Sequence, residues 1–223
     1  MPISRPMIIF GTTELAEVAR FYFAEVAQRS VSAFTVDGRY LKEAATCGLP
    51  IVAFEEVIAA YPPATHDCFV AIGYSQMNRA REEKVAAARG AGYSLTTFVS
   101  PRATNYASKI GENCLVLEDN TLQPFVRIGD SVTLWSGNHV GHHSVVEDNV
   151  FIASHVVISG GVTVGRNSFI GVNATIVDHL KLGAFSFIGA GALILEDTEE
   201  EGVYVSPARA EKRALKSKRM RTF

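Results

Sequence analysis

The stretch 140-VGHHSVVEDNVFIASHVVISGGVTVGRNSFIGV-172 repeats an aliphatic residue every sixth position: Val140, Val146, Ile152, Ile158, Val164 and Ile170. The same count runs outward without a break from Ile110 to Ile194, and all fifteen positions are Ile, Leu or Val. A buried helix face repeats every three to four residues and a half-buried strand every two, so a period of six fits neither. It fits a parallel β-helix, in which each hexad is one short strand and one corner. Three hexads close a triangular coil, and residues 110–199 supply about five coils. The fold predicted here is a left-handed parallel β-helix. The anchor and the small or β-branched residue four places later (Val126, Val132, Ser144, Val150, Val156) point inward. The glycine that often follows the anchor (Gly111, Gly129, Gly141, Gly165) relieves the corner.

Upstream of the repeat the pattern changes. Residues 7-MIIFGTTELAEVARFYFAEV-26 read as a buried strand, a turn at Gly11 and a helix. A second strand, 31-VSAFTVDG-38, ends at Asp37; 51-IVAFEEVIAAY-61 reads as strand then helix; 67-DCFVAIG-73 is a further strand and 76-QMNRAREEKVAAARGAG-92 a helix. Strands alternating with helices imply a small Rossmann-like parallel sheet covered on both faces. Three segments follow: a front domain over 1–101, a β-helix over 102–205, and a basic, helix-prone tail over 206–223.

Composition restricts function. With 48% hydrophobic and 20% charged residues, the chain packs a core. A formal net charge of −2 gives no general attraction to nucleic acid or anionic lipid. The three cysteines (Cys47, Cys68, Cys114) are far apart, which suits reduced thiols and a cytoplasmic setting. No apolar run is long enough for a signal core or a membrane span.

The motifs IIFGTTELAEVA, FTVDG, VAIGYSQMNR, the hexads and VSPAR together resemble the hexapeptide-repeat sugar acyltransferases that carry an N-terminal nucleotide-binding domain. That family includes sialic acid O-acetyltransferases and N-acetyltransferases of nucleotide-linked 4-amino-4,6-dideoxy sugars. The resemblance implies a homotrimer with acetyl-CoA in the groove between neighbouring β-helices. It also implies a nucleotide-linked sugar on the front domain, and no metal. The family's histidine base lies in V-x-H-x-x-x-I-G-D, which 140-VGHHSVVED-148 follows at Val140, His142 and Asp148, and this puts the base at His142. The groove positions so implied are Gly160, Gly161, Val172 and Ala190. Many relatives carry a carboxylate at the position of His143 and a second histidine at that of Phe151. The basic tail residues, Arg209 to Arg221, have two readings: a solvated helix face, or contacts to coenzyme A phosphates.

Four of the six histidines (His139, His142, His143, His155) crowd into residues 139–155. None falls at an inward position, so all should face outward. One coil beyond His142 is Gly160, and stacked strands lie about 4.8 Å apart. A base beside a bare backbone N–H has the two parts acyl transfer needs, a proton acceptor and an oxyanion donor. The catalytic candidates are His142, His143 and Gly160. Asn138 and His139, just before the base, are candidates for holding the sugar, and His155 is read as a surface or interface residue. Zinc needs at least three converging ligands, and no histidine pair has the spacing of the metal-binding β-helices. In the front domain, Gly11, Thr12 and Thr13 form the turn before a helix N-terminus, a place for phosphate or hydroxyl groups. Asp37, Gly73 and Arg79 complete the substrate-binding set, with Tyr74 and Asn78 on the edge where the base would be chosen. The dinucleotide glycine fingerprint is absent, which argues against redox chemistry. The function expected is N-acetylation of a nucleotide-linked amino sugar. O-acetylation of a sugar such as sialic acid, metal-dependent hydration, and nucleotide binding without catalysis are the alternatives.

Overall fold

The computed structural model describes residues 5–207; the basic tail from Ala208 onward, including Arg209 to Arg221, lies outside the described residues. The front domain is a five-stranded sheet. Strands β1 (Met7–Phe10), β2 (Val31–Val36), β4 (Leu49–Ala53) and β5 (Asp67–Val70) are parallel in the order β4-β2-β1-β5. The expected all-parallel sheet gains an antiparallel edge, β3 (Ala45–Thr46), which pairs with β4 across the Cys47–Gly48 turn. Helix α1 (Glu14–Phe21) runs on through a π-turn to Val26, α2 is the single turn Val57–Ala60, and α3 spans Arg79–Gly90.

The repeat region is a left-handed parallel β-helix of two-residue rungs. Three parallel sheets form the sides of a triangular prism. The first face stacks seven rungs, from Phe98–Val99 through Phe151–Ile152 to Val203–Tyr204. The second stacks six, from Thr104–Asn105 through His139–Val140 to Leu193–Ile194. The third stacks five, from Lys109–Ile110 through Val145–Val146 to Lys181–Leu182. Coiling begins at Phe98, shortly after Leu95 bridges to Cys68 of the front sheet. Anchors and their partners four places on fill the prism axis as one apolar column.

The glycines work differently from the sequence expectation. At Gly141 a β-carbon would meet the Gly160 nitrogen at 2.5 Å, so glycine after an anchor admits the next coil's backbone. The corner's conformational strain falls two residues later, where one residue per hexad adopts positive φ. Asn113, Asn149, Asn167 and Asn173 take that place as residues that tolerate it. His143 (φ 61°) and Phe125 (φ 69°) take it as bulky ones.

One column of these corner residues, spaced eighteen apart, docks the front domain. Asn113 exchanges hydrogen bonds with the backbone N–H and C=O of Val70 (2.7 and 3.2 Å). Arg81 donates to Ser131 Oγ (3.2 Å) and the Asn149 carbonyl (2.8 Å). Asn78 donates to the carbonyls of Asn167 and Ser168 (3.0 and 3.1 Å). Asn78 follows Gln76 and Met77 in a left-handed turn of three residues, so α3 starts later than its sequence pattern suggests. On the other flank Tyr22 of the π-turn reaches Glu118.

Candidate active site

His142 sits at the corner between the second and third faces. Its backbone N–H donates to Gln123 Oε1 (2.9 Å), and its carbonyl accepts from Gly161 N–H (2.8 Å). Its ring lies over Gly160: a β-carbon there would stand 2.6 Å from Cε1 and 2.7 Å from Nε2. Only glycine at 160 leaves room for this ring. The Gly160 N–H has no acceptor among the described residues. The N–H groups of His142 and Arg166, at like positions in other hexads, are each capped by a side chain nineteen residues earlier, Gln123 and Glu147. The residue nineteen before Gly160 is Gly141, which has no side chain. Two glycines thus clear space for an imidazole and leave a backbone donor beside it.

His143 Nδ1 lies 3.1 Å from His142 Nδ1, and its ring rests against Phe125 at 4.6 Å, tilted by 33°. His155 covers Gly137 at a different corner, in the column expected for it. His139 points out of the second face, between Thr121 and Val157.

Several expected site residues have other placements. Asn138 is 1% exposed; it donates to the Trp135 carbonyl and accepts from Val156 N–H (2.8 Å), so it cannot hold a sugar. It lies four after the anchor Leu134, and the six-residue count itself puts it inside. Arg79 turns away from the front-domain clefts and packs over the Phe185 ring at 4.8 Å. Asn78 is buried at the domain junction and reads no base. The four expected coenzyme positions split between two corners. Gly160 and Gly161 adjoin His142, while Val172 and Ala190 lie across the second face, between it and the first.

The front domain carries two clefts that share Gly11, Thr12 and Thr13. One, of about 430 Å³, is lined by Asp37, Arg39, Tyr40, Gln76 and Lys84. Asp37 is 8% exposed and pairs through Oδ2 with Lys84 (3.0 Å) and Arg39 (3.5 Å). The other, of about 710 Å³, reaches Gly73 and Tyr74. Gly11 has φ +124°, and a β-carbon there would sit 2.6 Å from the Ala71 carbonyl oxygen, so the turn between the clefts requires glycine. Tyr74 also borders an apolar groove of about 500 Å³ on the first face. There Phe151, Phe169 and Phe187 form an outward ladder, capped by Tyr74 at 5.2 and 4.7 Å from the first two. Phe151, at the relatives' second histidine position, is 4% exposed within this ladder and offers no polar hydrogen. The sequence carried this signal as phenylalanines eighteen apart. Lys84 and Arg81 had none, because a helix period alone does not say which face meets a ligand.

Among the described residues no group of three or more His, Cys, Asp or Glu is placed to hold a metal ion. No helix among them is long and apolar enough to cross a membrane.

Sequence comparison matches the bacterial transferase hexapeptide (six repeats) family over residues 125–160 and 143–178. The chain carries the bacterial transferase hexapeptide repeat. Its solved structural neighbours share both domains of this hexapeptide-repeat chain. A histidine-to-asparagine variant of perosamine N-acetyltransferase from Caulobacter crescentus, in complex with CoA and GDP-perosamine, is 24% identical. It aligns over 95% of this chain and 98% of its own, with a TM-score of 0.81. The acetyltransferase domain of PglB from Neisseria gonorrhoeae, in complex with acetyl coenzyme A, is 22% identical over 91% and 97%, with a TM-score of 0.78. WeeI from Acinetobacter baumannii is 22% identical over 92% and 99%, with a TM-score of 0.79. No curated protein sequence matches the chain. The front-domain-plus-β-helix architecture expected from the resemblance is therefore present along the whole described chain.

Proposed function

We propose that this protein is an acetyl-CoA-dependent N-acetyltransferase of a nucleotide-linked amino sugar, with His142 as general base. The observation that carries the reading is the His142 ring lying over Gly160, whose N–H is unpaired among the described residues. The sugar amine attacks the thioester carbonyl, His142 takes the amine proton, and the Gly160 N–H stabilises the oxyanion. Collapse expels the thiolate of coenzyme A, which accepts that proton. The ligands of the structural neighbours, GDP-perosamine and CoA or acetyl coenzyme A, fit this chemistry.

In this reading the nucleotide occupies the cleft of Asp37 and Lys84, and the sugar extends past Gly73 and Tyr74 toward the aromatic groove. The front domain sits on the first face, whereas the His142 corner joins the other two faces. A sugar held by one chain is thus across the prism from that chain's own His142. A neighbouring copy supplies the base, and a cyclic homotrimer repeats this junction three times. Each groove then combines Val172 and Ala190 of one chain with Gly160 and Gly161 of the next. A cytoplasmic setting suits the acetyl-CoA supply.

The test is a thiol-release assay with acetyl-CoA against UDP-, GDP- and dTDP-linked 3- and 4-amino sugars, with free sialic acid in parallel. Turnover of an amino sugar is expected. Turnover of sialic acid alone would replace the reading with O-acetylation.

A further inference from the structure

We infer that His143 is a positioning residue whose Nδ1 accepts a hydrogen bond from Nδ1–H of His142, fixing the tautomer that leaves His142 Nε2 free. The inference rests on the reading of His142 as the base. The two Nδ1 atoms are 3.1 Å apart, so one carries the proton and the other accepts it. Nε2 is the His142 ring nitrogen over Gly160. A proton donated by His143 would leave the proton of neutral His142 on Nε2, and no base would face that space.

His143 is held independently of His142. Its backbone is left-handed (φ 61°), its N–H donates to the Pro124 carbonyl (3.3 Å), and its ring rests against Phe125, itself left-handed (φ 69°). Every hexad corner adopts this conformation, so the coil itself fixes the direction in which the His143 side chain leaves the backbone. The surroundings are uncharged: Gln123 meets the His142 backbone, and Gly160 and Gly161 form the next coil. The nearest titratable groups in these columns are His179, whose ring lies over Gly161, and Tyr106 and Asp178, each two coils from His142. Among the described residues no carboxylate or ammonium bonds either ring.

An imidazole acceptor differs from a carboxylate because it can itself be protonated at mild acidity. Protonated His143 turns its Nδ1 into a donor and faces His142 with the wrong partner. During transfer, His142 Nε2 takes the amine proton while His143 Nδ1 keeps its bond to His142 Nδ1–H. The proton then passes to the departing thiolate, so the pair ends as it began.

The experiment is a ¹⁵N NMR titration of the histidines in the full-length protein, together with pH profiles of kcat and KM for H143F, H143Q and H143E. At neutral pH we expect His142 protonated at Nδ1 and His143 bare at Nδ1. H143F should lower kcat about tenfold or more with little change in KM, and the His142 proton should then divide between Nδ1 and Nε2. H143Q, whose Oε1 can accept, should recover part of kcat. H143E should recover kcat and move the acid limb to higher pH, since a carboxylate favours the imidazolium. An identical His142 tautomer ratio in the native protein and H143F, or native kcat in H143F, would overturn the inference. The NMR arm needs no turnover, so it decides the pairing even where His142→Asn stays active and the base reading itself fails.

Discussion

The imidazole of His142 occupies the space that a side chain at Gly160 would fill, 2.6–2.7 Å from the missing β-carbon. Gly160→Ala keeps the backbone N–H but forces the ring aside. A displacement of this size costs about 100-fold in rate when it misaligns a reacting group. Steady-state kinetics should show a fall in kcat of that order with an unchanged melting temperature. Native kcat in this variant would remove the ring from the reaction.

Among the described residues Arg81 is the largest fully buried side chain, and it has no carboxylate partner there. Burial lowers its pKa to about 10, so it stays charged at neutral pH. Its hydrogens go to the carbonyls of Ile72, Gly73 and Asn149 and to Ser131 Oγ. It thereby ties the loop beneath the sugar cleft to the β-helix. Arg81→Met leaves buried carbonyls unpaired, at a cost of about 1–3 kcal/mol. Denaturant melts should show that loss, and KM for the nucleotide sugar should rise more than KM for acetyl-CoA.

Glu118 accepts from Tyr22 Oη (2.5 Å) and Ser136 Oγ (2.8 Å). Burial raises its pKa, but these bonds outweigh burial and hold it below its ordinary 4.5. The Tyr22 phenol is pushed up to about 12, first by burial and then by Glu118. A depressed carboxyl stabilises the fold above its unfolded pKa, and the contribution fades as pH falls through the folded value. Melting temperature should therefore drop below pH 4.5 more steeply in the native protein than in Glu118→Gln. Parallel curves would show that the Tyr22 contact adds nothing.

Co-expression tests the shared site. His142→Asn and Asp37→Ala should each be inactive alone. Random mixed trimers would join a sound front domain to a sound His142 in about a quarter of sites. Recovery near that fraction supports a site built from two chains, whereas no recovery would put cleft and base in one chain.

The six-residue count was enough to place the prism and its core, because most inward positions hold apolar or small residues. Extended to Asn138, it would have removed that residue from the site. His142 over Gly160 was legible because stacking in a β-helix is a fixed offset of eighteen. The front domain was less so. Nothing in 76-QMNRAR-81 says that three residues turn left-handed, or that Arg81 rather than Arg79 is buried. Those outcomes depend on a column of corner residues, Asn113, Ser131, Asn149 and Asn167, that matter only once the domains dock. The pairing of His142 with His143 was hidden for a similar reason: the positive φ of the corner sets their mutual angle.

The most direct test of the central claim compares thiol release by the native protein and His142→Asn, using the best amino-sugar acceptor. Isothermal titration of coenzyme A and the nucleotide sugar would run alongside. The account predicts both ligands bound with near-native affinity and kcat lower by about 10²–10⁴. Near-native turnover in His142→Asn would contradict it.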